Sequence, residues 1–158
     1  MKNWIITLAL LVWFAVCVAA AHAAGTCAVA TGWPKRAVLH GAGTSVIEYK
    51  VDCTADASDG SYPALTIGDV GGCLKEMHFL PGTVTVPTNL MDVTLARGGI
   101  DLLGGNGADL STSANSIVLP YDHDSNINIP CFAGDLVLTH TNNSVNSATL
   151  TEYIMLVP

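Results

Sequence analysis

Ser45–Cys53, S-V-I-E-Y-K-V-D-C, sets Ile47, Tyr49, Val51 and Cys53 against Glu48, Lys50 and Asp52 in strict alternation. A period of two residues places the first set on one face of a pleated strand and the second on the other, so the stretch reads as a half-buried β-strand. The same pattern recurs outward from it. Met91, Val93 and Leu95 alternate with Asp92 and Thr94, and Leu136, Leu138 and His140 alternate with Val137 and Thr139. Thr149 to Val157 supplies a closing strand.

Between these runs the chain is punctuated by turn formers. Thr54 to Tyr62 is rich in Ala, Asp, Ser and Gly, and Pro63 opens a short apolar run through Ile67. Gly68 to Gly72 reads as a corner, followed by a strand over Cys73–Leu80 with Cys73, Met77 and Phe79 on one side and Lys75 interrupting that side. Pro81-Gly82 and Pro87 bracket a Thr and Val segment that suits an edge or a loop. Gly98-Gly99 breaks the Met91 strand, and Ser116–Pro120 is a further short strand. No window from Gly25 to Pro158 carries a capped amphipathic helix. The expected fold is all-β, an antiparallel β-sandwich of about 7–8 strands, jelly-roll-like or immunoglobulin-like, with both topologies open.

The amino terminus follows another logic. Lys2 precedes an apolar run from Trp4 to Ala21, and Ala21-His22-Ala23 offers a small-x-small cleavage pattern. Residues 1–23 read as a signal peptide in helical form, and 24–158 as a single domain large enough to bury one core. An uncleaved leader would be the chain's one expected attachment to a membrane. Without Lys2, five Lys and Arg stand against thirteen Asp and Glu, a net charge of −8. Five scattered cations do not build the basic patch that phosphate backbones require, so nucleic acid is excluded as an expected partner.

Loss of the leader removes Cys17 and leaves Cys27, Cys53, Cys73 and Cys131, an even number suited to an oxidising compartment. All four are disulfide candidates. If one strand separates Cys53 from Cys73, their sulfurs lie roughly 17–20 Å apart at its two ends. Bridged Cα atoms need about 4.4–6.8 Å, which favours bridges that involve Cys27 and Cys131. Zinc is not expected, because no two cysteines have C-x-x-C spacing.

No catalytic constellation emerges. Asp122, Asp124 and Asn126 begin like a calcium loop, but Ile127 and Ala133 stand where glycine and a bidentate glutamate are needed. Asp56 and Asp59 before Gly60 are explained by turn chemistry. His40, His78, His123 and His140 show no metal-ligand spacing and read as surface or strand residues, with His123 between two carboxylates as a candidate pH-sensitive contact. Gly43-Thr44-Ser45 is no nucleophile elbow, and Gly104-Gly105-Asn106-Gly107 lacks the following helix and lysine of a phosphate loop. Neither catalytic residues, cofactor nor metal ligands are assigned, and the chain is read as a non-enzyme.

Several segments, in order, resemble those of small all-β structural proteins of tailed bacteriophages and prophages. They are I47EYKVDCTADASDG60, M77HFLP81, P87TN89, M91DVTL95, D101LLGGNGADLS111 and N142NSVNSA148. The resemblance implies a virion decoration or minor structural subunit that works by protein contact, as a homo-oligomer or within a virion, with no catalytic residues to carry over. The leader and the four cysteines point instead to export, to the periplasm or beyond. The alternative expectation is therefore a secreted periplasmic or cell-surface binding module, adhesin-like or a filament subunit.

Overall fold

The computed structural model describes residues 23–38, 45–120 and 129–158. The expected leader, Ala23 apart, lies outside the described residues, as do His40, His123 and the Asp122–Asn126 loop. Within them the chain is all-β, with no helix and nine antiparallel strands: β1 (Thr26–Val29), β2 (Lys35–Val38), β3 (Ser45–Thr54), β4 (Leu65–Pro81), β5 (Asp92–Arg97), β6 (Ile100–Asp101), β7 (Ser116–Val118), β8 (Cys131–Thr141) and β9 (Thr149–Val157). They form one curled sheet in the order β1-β3-β9-β4-β8-β5-β6, with β2 added to β3 and β7 to β4.

Alternation in the sequence explains most of these elements. In β5, Val93 and Leu95 are buried while Asp92, Thr94 and Ala96 are partly exposed, as their period of two requires. In β9 both rows are apolar enough to face a core, and packing selects Leu150, Glu152, Ile154 and Leu156 as the buried row. Strand β3 lies between β9 and a shared edge, where β1 pairs with Val51–Thr54 and β2 with Ser45–Glu48. The hairpin joining β5 to β6 is closed by Gly98-Gly99 at φ 56° and 83°. Two successive positive φ values are what a tight two-residue hairpin turn demands, and glycine supplies them without steric cost.

Strand β4 corrects the expected organisation. Pro63–Ile67 and Cys73–Leu80 were expected as separate elements around a Gly68–Gly72 corner, but Leu65–Pro81 is one strand of 17 residues. Gly68 and Asp69 lie in a β-bulge, where the pairing register with β8 slips between Ile67 and Val70 and Asp69 takes φ 54°, while Gly71 and Gly72 pair with Ala133 and Phe132. A second slip against β9, between Leu74 and Glu76, surrounds Lys75. Each extra residue exchanges the two faces of a strand. Hence Val70 and Leu74 are buried before the second bulge, Met77 and Phe79 after it, and Lys75 is the residue that bulges.

Those bulges also bend β4, which is why the sheet curls. Its first half pairs with β8, and its second half pairs with β9 and β7. Cys73 pairs with Cys131 on β8 and Val157 on β9 at once, so the two neighbours occupy opposite edges of β4. The curl brings inward rows of non-neighbouring strands together around Leu74, Phe79, Leu95, Leu136, Leu138, Ile154 and Leu156, all fully buried in one core. Each such side chain contributes about 1.5–3 kcal/mol through removal from water.

Candidate functional site

The cysteines are joined by the ladder. Cys27 on β1 stands opposite Cys53 on β3, and Cys73 on β4 opposite Cys131 on β8, and both pairs are disulfides. Their Cα atoms are 4.1 and 3.8 Å apart, the close approach of directly opposed strand residues. Cys53 and Cys73 are separated by one strand, but that strand is β9, which meets them at Leu150 and Val157, its opposite ends. Of the pairings left open by sequence, the register selects these two.

Beside the first disulfide lies a buried polar cluster. His140 faces inward from β8 and Glu152 from β9, with Nε2 and Oε2 hydrogen-bonded at 3.0 Å and both side chains wholly buried. The Tyr62 ring packs on the imidazole with centroids 5.0 Å apart. Burial first, and the nearby Glu152 second, push the Tyr62 hydroxyl far above the ordinary tyrosine range. Tyr62 Oη, His140 Nδ1 and Glu152 Oε1 each lack a hydrogen-bond partner among the described residues. A ring nitrogen of His140 and the sulfurs of Cys27 and Cys53 lie within 4.8 Å of one another. His140 was expected as a surface or strand residue; it is a strand residue, but buried. Glu152 escaped notice because both rows of β9 are hydrophobic apart from threonine and this one acid.

The solvent-facing hollows have a different character. Two open clefts, about 530 and 510 Å³, share Pro81, Gly82, Thr83 and Asn115. The loop between them carries Val84, 94% exposed. One cleft continues along Val86, Asn89 and Ser111, the other along Lys50, Thr151 and Tyr153. Trp33 meets the Tyr153 ring edge-on at 5.8 Å, and Lys35 Nζ lies 4.4 Å from the Trp33 centroid. At the Asp52 carboxylate, burial works against ionisation, but hydrogen bonds of 2.8 Å from Lys50 Nζ and Thr151 Oγ1 prevail and lower its pKa.

The other singled-out residues hold turns. The Asp101 carboxylate accepts the Leu103 and Gly105 amides at 3.0 and 2.9 Å, fixing the glycine-rich corner. Asp92 Oδ1 accepts the Asp109 amide at 2.8 Å. Asn143 Oδ1 accepts the Thr88 amide at 2.8 Å while its Nδ2 donates to the Gly60 and Val145 carbonyls. Asp56 accepts the Ser58 hydroxyl and, at 2.6 Å, its amide, which lower the Asp56 pKa, while Asp59 accepts the Ser61 amide at 2.8 Å. His78 Nε2 lies 3.4 Å from Glu76 Oε1 without hydrogen-bond geometry.

No family model, no curated protein and no solved structure matches this chain.

Proposed function

We propose that the chain is an exported, non-enzymatic module that acts by surface contact with protein partners, assembling with copies of itself or on a larger particle. In this reading the curled sheet works as a two-layered β-sandwich, stapled by two disulfides for an oxidising compartment. The observation that carries it is Val84, 94% exposed at a loop tip between two open clefts. Apolar side chains raised beside open clefts of mixed polar and apolar lining are suited to burial against another protein surface. The imidazole and carboxylate of His140 and Glu152 are wholly buried in the core, away from both open clefts.

Sedimentation and chemical cross-linking of the wild type and of Val84→Asp/Val86→Asp test the reading. Assembly by the wild type and its loss in a variant with an unchanged circular dichroism spectrum are expected. Undiminished assembly by that variant would contradict it. A second reading, a virion decoration or minor structural subunit, draws on the ordered phage-like segments, whose Asp92, Asp101 and Asn143 side chains brace corners of the sheet. Mass spectrometry of purified particles distinguishes the two, since a virion subunit is recovered there at stoichiometric levels.

A further inference from the structure

We propose that Cys27, Cys53 and His140 form a redox-gated binding site for a thiophilic cation of zinc's class, closed while the cysteines are a disulfide and opened by a dithiol reductant. The two sulfurs and an imidazole nitrogen already lie within 4.8 Å of one another on three strands that sequence spacing does not connect. Two thiolates and one imidazole are a ligand set that zinc favours, and they leave a fourth tetrahedral position for water or an added ligand.

A second observation points to the ion independently. His140 is wholly buried, its Nε2 is hydrogen-bonded to Glu152 Oε2 at 3.0 Å, and its Nδ1 has no partner among the described residues. A carboxylate on one ring nitrogen is the arrangement that orients metal-ligating histidines, because it holds the N–H on that nitrogen and leaves the lone pair of the other free. Glu152 is thus a positioning residue. Access comes from the sheet edge, since Cys27 is partly exposed on β1, a strand paired among the described residues only with β3.

The chemistry balances. A dithiol donor passes two electrons and two protons to the Cys27–Cys53 bond, giving two thiols while the donor becomes a disulfide. Binding of a divalent ion then releases both thiol protons to solvent and forms two metal–sulfur bonds and one metal–nitrogen bond.

Co²⁺ titration of the full chain carrying Cys17→Ser, Cys73→Ser and Cys131→Ser, with and without reduction by a phosphine, isolates the site. One Co²⁺ per reduced chain is expected, with a thiolate-to-cobalt charge-transfer band displaced by Zn²⁺ and absent from the oxidised chain. His140→Gln is expected to weaken binding at least tenfold, and Glu152→Gln roughly 10–100-fold, the range for residues that orient a ligand. X-ray absorption of the reduced, Zn²⁺-loaded wild type is a readout that needs no variant. Its expected shell holds sulfur at about 2.3 Å and imidazole nitrogen at about 2.0 Å. Absence of the charge-transfer band on reduction, binding indifferent to His140→Gln, or a zinc shell without imidazole would each overturn the proposal, as would a reduced chain that unfolds and is not refolded by Zn²⁺.

Discussion

Gly107 has no room for a side chain. A Cβ there would sit 2.0 Å from the Val93 carbonyl oxygen, on the same stretch where the Gly107 carbonyl accepts the Val93 amide at 2.7 Å. Gly107→Ala is therefore expected to lower stability by about 1–3 kcal/mol, the cost of overpacking, read as a reduced urea midpoint. His140 and Glu152 behave differently, because they are paired with each other by a hydrogen bond inside the core. Glu152→Ala is expected to cost about 3–5 kcal/mol, whereas the double change His140→Leu/Glu152→Leu costs less than that or stabilises. A double variant weaker than Glu152→Ala would contradict this. Tyr62 sets the alkaline limit. Unfolded tyrosine ionises near 10, while burial and Glu152 keep the folded hydroxyl protonated well above that, so stability is intact below pH 10 and falls as pH rises past it. Denaturation midpoints of Tyr62→Phe measured between pH 8 and about 11.5 are expected to decline less steeply than those of the wild type.

At the scale of the element, how much was legible depended on whether alternation was unbroken. β3, β5 and the second half of β8 could be located from period alone, because one alternation holds throughout each. β4 could not, since two bulges exchange its faces and its glycines resemble a turn. β1, with only four residues, carries too short a pattern to stand out from its neighbours. The candidate cluster was hidden for a related reason. Cys27 and Cys53 are 26 residues apart, and only the β1–β3 register and the curl bring them to His140. The disulfides act at this scale too, by tying paired strands whose sequence separations are 26 and 58. From loop entropy, Cys27→Ser/Cys53→Ser is expected to cost about 3.5 kcal/mol and Cys73→Ser/Cys131→Ser about 4 kcal/mol. Urea unfolding of the two variants checks both the size and the order.

For the whole molecule, a curled sheet with an apolar core, a buried His140–Glu152 pair and an exposed valine beside open clefts fits the proposed role of a scaffold that presents surface. Acidic residues dominate its charge, with 13 Asp and Glu against 6 Lys and Arg. Its proposed home is an oxidising compartment reached through the leader, and that is the claim on which both the disulfides and the contact role depend. Intact-mass measurement of the protein recovered from cytoplasmic, periplasmic and secreted fractions, without reductant, tests it most directly. A chain beginning at Ala24 is expected, found outside the cytoplasm and about 4 Da lighter than its reduced form, as two disulfides require. Recovery of the full-length chain from the cytoplasm with all its thiols reduced would contradict it.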